Sequence, residues 1–231
     1  MIDFSKFEKT TGIIFHDKKM LEQAFIHRSY INENNGLKFS HNERLEFLGD
    51  AVLELVVTSY LYTKYPDRDE GELTAYRSAL VNAVIIGEVA SALGMNEYLL
   101  LSKGEAKDIG KARSYILANT YEAYVGAVYL DQGYEIAEQF IAKTLFDKID
   151  TIVAKKLWRD AKSLVQEKAQ EYINITPSYK VIGETGPDHD KHFTIGIFFG
   201  DEKIAEGKGH SKQEAEQGAA RNALESKGWL D

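Results

Sequence analysis

Three carboxylates stand at helical spacing inside an apolar run, and this arrangement restricts the fold more than any other feature. Glu43, Glu46 and Asp50 occupy positions i, i+3 and i+7. At about 100° per residue, their side chains fall within an arc of roughly 60° on one helix face. The apolar residues around them predict a largely buried helix: Leu45, Phe47, Leu48, Val52 and Leu53. Like charges on one face repel, so the choice is between a solvated acidic stripe and a bound divalent cation such as Mg²⁺. Burial favours the cation.

The composition of the 231-residue chain sets limits on its class. A hydrophobic content of 44% is sufficient for a core, and a sequence without cysteine excludes disulfides and thiolate metal sites. The first residues show no secretory signal, and no apolar run reaches the length of a membrane span, so we expect a cytoplasmic protein without a membrane partner. The formal charge of −8 argues against a nucleic-acid partner unless basic residues cluster locally.

Residues 7–155 show helical periodicity throughout. Apolar residues recur at threes and fours in five segments, residues 20–30, 43–65, 72–93, 115–131 and 134–155. Gly, Pro and Asn accumulate at the expected breaks, residues 32–36, 66–71 and 104–110. This half lacks strand-like alternation. The pattern predicts an all-α domain, to which we assign residues 1–156.

The periodicity changes after a short polar linker, residues 157–161. A helix is predicted first, then three strands, then a last helix that begins at Ser211: residues 162–173, 178–184, 192–199, 203–209 and 211–224. Ser211 and Glu214 have the spacing of a capping box. Residues 162–231 are therefore predicted to form a small α+β domain with the element order α-β-β-β-α.

The segment Asn-Glu-Arg-Leu-Glu-Phe-Leu-Gly-Asp at 42–50 resembles the signature of the bacterial ribonuclease III family. Three further segments are similar to the same family: Ala-Phe-Ile-His-Arg-Ser at 24–29, Asp-Glu-Gly-Glu-Leu at 69–73 and Ile-Leu-Ala-Asn-Thr-Tyr-Glu-Ala at 116–123. In the second half, residues 186–189 and 211–217 resemble the double-stranded RNA-binding domain that follows the nuclease domain in the bacterial enzymes. The resemblance spans essentially the whole chain in the expected order.

Phosphodiester hydrolysis assisted by metal ions needs acids from more than one helix, because one helix offers ligands on only one side of an ion. Asn119 and Glu122 supply a second pair at i, i+3. The resemblance implies a metal-binding set of four residues, Glu46, Asp50, Asn119 and Glu122. It implies Mg²⁺ as the cofactor, with Mn²⁺ as a substitute, and assigns the most direct part in catalysis to Asp50 and Glu122. Glu43 and Glu70 resemble supporting residues near the dimer contact and the scissile strand.

One residue departs from the family pattern, which usually has an aspartate at the position of Asn119. An amide oxygen can still coordinate Mg²⁺ or position a bound water, but it brings no charge. The site then has three carboxylates instead of four, which should weaken metal affinity. We favour a tolerated natural variation over an impaired or inactivated site.

The second domain is not basic, although the resemblance implies an RNA ligand. Residues 159–231 contain ten Lys and Arg against thirteen Asp and Glu. Duplex RNA is recognised mostly by shape, through 2′-hydroxyl contacts in minor grooves and phosphate contacts between them. Polar side chains can therefore make many of the contacts. The alternative is a polar helix face that binds no ligand.

Six residues are predicted to contact the duplex: Ser163, Gln166, Gln170, His189, Lys208 and Lys212. The first three are spaced i, i+3, i+7 on one helix and suit one minor groove. The loop with His189 suits a second groove, and Lys212 at a helix N-terminus suits the phosphates between them, with Lys208 as a supplement. The family usually has two or three consecutive basic residues around position 212, so we expect weak, strongly salt-sensitive binding.

We therefore expect a homodimeric, Mg²⁺-dependent endoribonuclease specific for double-stranded RNA. The resemblance implies two nuclease domains about a two-fold axis and staggered cuts that leave 5′ phosphates, 3′ hydroxyls and short 3′ overhangs. It also implies a part in ribosomal RNA precursor and mRNA processing. Two alternatives stay open. One is a duplex-RNA-binding protein whose nuclease centre is impaired at Asn119, and the other is a helical dimer whose acids hold a structural ion.

Overall fold

The computed structural model of the protein describes residues 2–34, 40–107, 110–154, 156, 158–187 and 191–229. Contacts within the chain divide it into two units, Met1–Trp158 and Arg159–Asp231. The first unit is helical, and the second combines helices with a sheet. The predicted fold class, an all-α domain followed by an α-β-β-β-α domain, is confirmed.

The first unit is built of α-helices. Their bounds are α1 Ser5–Thr11, α2 Lys18–Ala24, α3 Arg28–Glu33, α4 Glu43–Lys64, α5 Glu70–Leu80, α6 Ala83–Ala92, α7 Lys111–Gln132 and α8 Tyr134–Ala154. Two 3₁₀ turns, Met95–Tyr98 and Glu105–Lys107, lie between α6 and α7. Within the described ranges, no single helix is both long and apolar enough to cross a bilayer, and α5 with α6 meets that criterion only as a pair bent by 42°.

Side-chain caps divide two segments that the periodicity predicted as single helices. Residues 20–30 are split between α2 and α3, because His27 is the N-cap of α3 and its ring nitrogen accepts the N–H of Ser29. Residues 72–93 are split between α5 and α6, because the Asn82 side chain accepts two N–H groups of the next turn. Both predictions of one continuous helix were wrong, since a cap inside an apolar run does not disturb its period.

An aromatic cluster occupies the centre of the first unit's core. Phe7, Phe25 and Tyr124 are buried. The ring centroids of Phe7 and Phe25 are 5.2 Å apart, as are those of Phe7 and Tyr124, and both pairs meet edge to face. Ring quadrupoles favour this arrangement. Because the rings come from α1, the end of α2 and α7, the cluster fixes the N-terminal helices against α7.

The long helices α4 and α7 cross at a pair of glycines. A Cβ atom on Gly49 would lie 1.7 Å from the backbone carbonyl oxygen of Glu122, and one on Gly126 would lie 2.2 Å from that of Leu45. A side chain at either position would therefore force the helices apart. The two backbones are in direct contact at this point, which we call the glycine crossing.

The second unit packs two helices on one face of an antiparallel sheet with strand order β1-β2-β3. Its elements are α9 Ala161–Ile173, β1 Ser178–Thr185, β2 His192–Phe199, β3 Glu202–Gly209 and α10 Lys212–Lys227. Ile197 of β2 is buried with Val165 of α9 and Leu224 of α10 in the core of this unit. The alternation of β2 thus places its apolar residues against the helices, as a sheet with one covered face requires.

The last helix begins after Ser211, as its sequence predicts. The Ser211 hydroxyl accepts the N–H of Glu214 at 3.2 Å, which is the first half of a capping box. The carboxylate of Glu214 accepts the N–H of His210 at 3.0 Å instead of that of Ser211. The reciprocal interaction is therefore displaced by one residue from the predicted capping box.

One residue of the acidic segment is exposed where burial was predicted. Leu45 and Leu53 are buried, but Phe47 is 81% exposed. Phe47 forms an exposed apolar stripe with Leu55 and Tyr62, within an arc of about 80° on α4. We call these three residues the α4 stripe. The helix carries apolar residues on two sides. The apolar neighbours of the acids therefore did not show that Phe47 lies on the exposed side.

Replacement of Gly49 by alanine tests the glycine crossing. Helix propensity alone would make Gly49→Ala stabilising by about 1 kcal/mol. The new Cβ would collide with the Glu122 carbonyl oxygen, and we expect this overpacking to dominate and lower the free energy of unfolding by roughly 2 kcal/mol or more. Urea denaturation of the full chain measures the difference.

The matched control is Gly104→Ala, because a Cβ there approaches no atom closer than 3.8 Å. We expect it to change the free energy of unfolding by less than about 0.5 kcal/mol. A Gly49→Ala variant as stable as the wild type would show that α4 and α7 do not meet through their backbones.

Candidate active site

Acidic side chains of α4 and α7 lie beside the glycine crossing. Glu46 stands one turn before Gly49 and Asp50 directly after it. Glu122 of α7 contributes the backbone oxygen that Gly49 approaches. The crossing therefore brings together carboxylates that are far apart in the sequence, on two helices, as metal-assisted hydrolysis requires.

Burial, and then repulsion from neighbouring carboxylates, raise the pKa values of these three carboxyl groups. The pKa of Glu122 rises from 4.5 to about 7, first because the side chain is largely buried and then because Asp50 and Glu46 are negative neighbours. The pKa of Glu46 is raised by burial and then by Glu43 and Asp50. Burial, followed by Glu54, raises the pKa of Asp50. Glu46, Asp50 and Glu122 thus share one electrostatic environment, and we call them the acid cluster.

The carboxylate oxygens of the acid cluster are the ligand type that a hard divalent cation prefers, although they do not converge on a single point. Across the described residues, no three His, Cys, Asp or Glu side chains converge enough to hold an ion, and the acid cluster has no salt-bridge or hydrogen-bond partner there. Carboxylates that lack a cation repel one another. Mg²⁺ keeps several of its waters and needs only one or two direct carboxylates. The residues therefore fit an ion that is held partly through water.

Asn119 lies one turn before Glu122 on α7, and its side chain is exposed while Ala118 and Thr120 are buried. At helical spacing, residues 119 and 122 lie within about 60° of each other. The amide of Asn119 adds an oxygen donor beside the acid cluster and no negative charge.

Glu43 and Glu70 lie outside the glycine crossing. Glu43 is the first residue of α4 and forms an ion pair with Arg28, in which Nη1 and Oε1 are 3.2 Å apart. Glu70 is the first residue of α5 and lines a cavity of about 480 Å³ together with Tyr62 and Arg77. Glu43 therefore has a cationic partner of its own, and Glu70 belongs to a cleft between α4 and α5.

The second unit carries the predicted polar face on α9. Ser163, Gln166 and Gln170 are exposed, within an arc of roughly 60°, and lie opposite the buried Val165 and Ala169. This face is therefore free to contact a ligand while the opposite face packs on the sheet.

Besides the α9 face, three residues were predicted to contact duplex RNA, and two of them lie within the described residues. Lys208 is exposed on β3, and Lys212 is the first residue of α10, with Nζ 5.6 Å from the centre of the Phe193 ring. His189 lies outside the described residues. Lys162 of α9 was not predicted as a contact, and its ammonium pairs with Glu216 at 2.6 Å. That pairing offsets its charge.

Sequence reasoning missed Gly126, the partner of Gly49, and Arg28, the partner of Glu43. A glycine in the middle of a helix costs about 1 kcal/mol relative to alanine, so its presence in the apolar run of α7 was a signal of close packing. Arg28 gave no comparable signal, because its partner lies in another element and the ion pair depends on the tertiary fold.

The raised pKa of Glu122 predicts how the metal-free protein responds to pH. The pKa of Glu122 in the folded protein, about 7, lies above its ordinary value of 4.5. Between these two pH values the folded protein therefore binds more protons than the unfolded chain. The stability that this protonation contributes is lost as the pH rises through 7. We expect Glu122→Gln to raise the free energy of unfolding at pH 8 by about 1–3 kcal/mol, after allowance for solvent screening. At pH 4.5 the gain should largely vanish.

Urea denaturation in EDTA, at both pH values, measures this difference. Glu138→Gln on the exposed side of α8 is the control, and it should leave the stability unchanged at either pH. If Glu122→Gln were no more stable than the wild type at pH 8, the ionised Glu122 carboxylate would carry no cost from burial and from its negative neighbours.

Known families match both units of the chain. A family model described as ribonuclease-III-like matches residues 17–149, and one described as a double-stranded RNA binding motif matches residues 161–227. The chain is 46% identical to ribonuclease 3 of Enterococcus faecalis, over 93% of each protein. It is 44% identical to ribonuclease 3 of Desulforamulus reducens, over 93% of this chain and 87% of that protein.

A solved structure resembles the first unit. The nuclease domain of ribonuclease III from Campylobacter jejuni superposes with a TM-score of 0.55 at 38% sequence identity, and the match covers 62% of this chain and 98% of that domain. The family model covers more than half of the sequence, and the two relatives match over nearly all of it. The chain therefore belongs to the ribonuclease III family of endoribonucleases.

Proposed function

We propose that the chain cleaves double-stranded RNA with the help of Mg²⁺ held at the acid cluster, with Mn²⁺ as a substitute. The observation that carries the proposal is the placement beside the glycine crossing of three carboxylates from two helices, which have no salt-bridge or hydrogen-bond partner among the described residues. The double-stranded RNA binding motif of the second unit supports duplex RNA as the ligand. Glu46, Asp50 and Glu122 would hold the metal, and Asn119 would add an amide oxygen.

The reaction is the hydrolysis of a phosphodiester. A bound divalent ion activates water and offsets the charge that develops on the phosphate and on the leaving 3′ oxygen. The family resemblance assigns the most direct part to Asp50 and Glu122, which would hold the ion from α4 and α7 respectively. Water adds its oxygen to phosphorus, the bond to the 3′ oxygen breaks, and that oxygen takes a proton. The products are 5′-phosphate and 3′-hydroxyl ends.

The second unit is proposed to bind the duplex by its shape. Ser163, Gln166 and Gln170 contact one minor groove from α9, while Lys212 and Lys208 contact phosphates. His189 is assigned to a second minor groove on the strength of its sequence motif. Asp and Glu outnumber Lys and Arg in residues 159–231, so we expect weak binding, and the phosphate contacts make that binding sensitive to salt.

We propose a homodimer formed through the α4 stripe. Its residues are strongly exposed, by 81% for Phe47, 55% for Leu55 and 74% for Tyr62. An apolar surface of this kind on a long helix is typical of a protein interface. The Campylobacter relative is described as having a region involved in dimer formation, which supports a second copy of the chain as the partner. Two acid clusters in one dimer would cut opposite strands with a stagger and leave short 3′ overhangs.

We place the protein in the cytoplasm, in ribosomal RNA precursor and mRNA processing, because duplex RNA is the substrate class of the reaction proposed above. We propose the domain boundaries that the sequence predicts. They are a nuclease domain over residues 1–156, a linker over residues 157–161 and an RNA-binding domain over residues 162–231.

A second candidate is a duplex-RNA-binding protein with an impaired nuclease centre. It rests on Asn119, which leaves the site one carboxylate short of the family pattern. Retention of a duplex without cleavage in Mg²⁺ would favour this candidate over the enzyme.

A perfect RNA duplex incubated with the full chain tests the proposed reaction. We expect cleavage with Mg²⁺ and retention without cleavage with Ca²⁺. Asp50→Asn should lower the cleavage rate by at least about 10³-fold and spare retention, because it removes a negative charge from the metal site and leaves the second unit intact. Gel electrophoresis of end-labelled strands measures cleavage, and filter binding measures retention.

Asn119→Asp is the companion variant. It restores a fourth carboxylate, so we expect half-maximal cleavage at a lower Mg²⁺ concentration than in the wild type. An unchanged Mg²⁺ dependence would remove residue 119 from the metal site, and a wild type that binds but never cleaves would overturn the proposed reaction.

The α4 stripe predicts that Phe47→Glu converts a dimer into a monomer, because a buried unpaired charge is costly at an apolar interface. Sedimentation analysis measures the mass. Ile14→Glu is the matched control, since Ile14 is 71% exposed and does not belong to the stripe. A wild type that sediments as a monomer, or a Phe47→Glu variant that remains dimeric, contradicts the proposed interface.

A further inference from the structure

The segment Ala-Phe-Ile-His-Arg-Ser at 24–29 has no part in the acid cluster, yet it is fixed on two sides by hydrogen bonds. The buried Asn42, directly before α4, donates its side-chain amide to the Ala24 carbonyl at 3.1 Å and its backbone N–H to the Ile26 carbonyl at 2.9 Å. Ser29 Oγ accepts the N–H of Ser102 at 3.1 Å. These bonds hold the start of α3 beside the start of α4.

Arg28 is the charged residue that this segment presents to α4. Its Nη1 lies 3.2 Å from Oε1 of Glu43, and its side chain is 64% exposed. The other carboxylate oxygen of Glu43 lies 3.6 Å from Nδ1 of His41. Glu43 is one helical turn before Glu46 and helps to raise its pKa, so the largely exposed guanidinium is paired with the residue that borders the acid cluster.

We propose that Arg28 binds a backbone phosphate of the duplex beside the cleavage site, and that Glu43 is a positioning residue for Arg28. The inference rests on the proposed function, since it names a further contact for the same substrate. It assigns Glu43 a different part from that of a metal ligand.

Three properties of the pair carry the inference. A guanidinium has five N–H donors in a planar fork, so the contact with Glu43 leaves several of them free for phosphate oxygens. An exposed ion pair contributes little to stability, about 0–1 kcal/mol, so folding alone gives a weak reason for the arrangement. The polyanionic substrate must approach an acidic surface on a chain of charge −8, where a fixed cation offsets repulsion.

The pair also restrains Arg28. An unpaired arginine on a surface samples many rotamers, whereas Glu43 holds Nη1 of this one 3.2 Å from its own carboxylate. Because the Arg28 side chain is already restrained, it loses less conformational entropy when it binds a phosphate. Removal of the Glu43 charge should therefore weaken the phosphate contact without abolishing it.

Duplex RNA binding by the full chain in Ca²⁺, measured by filter binding as a function of salt, tests the inference. For Arg28→Ala we expect about tenfold weaker binding near 0.15 M salt. The slope of log K against log salt should decrease by about 1, because one phosphate contact is lost. Glu43→Gln should weaken binding about two- to fivefold and keep the slope. Arg28→Lys should keep the slope and restore part of the affinity.

Lys6→Ala is the matched control. Lys6 forms an exposed ion pair with Glu97 on the same unit, and its loss should change neither affinity nor slope. Thermal melting reports the folding of every variant, and Arg28→Lys supplies the comparison if Arg28→Ala unfolds.

The outcomes separate this inference from the proposed function. A wild type that binds and cleaves duplex RNA while Arg28→Ala retains the wild-type slope and affinity overturns the inference and leaves the proposed function standing. Arg28→Lys keeps the positive charge, so a lower slope of log K against log salt in this variant would also contradict a charge contact with a phosphate. A wild type that neither retains nor cleaves the duplex overturns the proposed function itself.

Discussion

The direct contact of the α4 and α7 backbones at Gly49 and Gly126 determines the geometry of the first unit's acidic site. The absence of a Cβ atom at these two positions lets the Glu122 carbonyl reach Gly49. Carboxylates from distant parts of the sequence thereby become neighbours. Any side chain at the crossing would move Glu122 away from Glu46 and Asp50, because protein interiors have little free volume to absorb a shift.

The same contact creates an electrostatic cost. Burial, and then negative neighbours, raise the pKa values of the three carboxyl groups, most of all that of Glu122. The fold holds them there without a cationic side chain among the described residues, whereas the neighbouring Glu43 is paired with Arg28. A site that concentrates negative charge and leaves it uncompensated is suited to a cation from solution, and this is the physical basis of the proposed hydrolysis.

Much of this structure could be predicted from the sequence, because local patterns carry it. The 3.6-residue period gave α4, α7 and α8, the strand alternation gave β2, and Ser211 gave the start of α10. The predictions failed where tertiary contacts decide. His27 and Asn82 interrupt apolar runs as caps, and the glycine crossing and the Arg28–Glu43 pair join elements that the sequence does not show as neighbours. The resemblance to the ribonuclease III family implied that Glu46, Asp50 and Glu122 belong to one site, but only the fold brings the two helices together.

The most direct test of the metal site is the anomalous scattering of Mn²⁺ in crystals of the full chain grown with that ion. We expect a peak within coordination distance of Asp50 or Glu122, bordered by Glu46, and its loss in Asp50→Asn crystals under the same conditions. Well-diffracting crystals at saturating Mn²⁺ with no peak beside the glycine crossing would contradict a cation held between α4 and α7. A peak of unchanged height in Asp50→Asn would contradict the part assigned to the Asp50 charge.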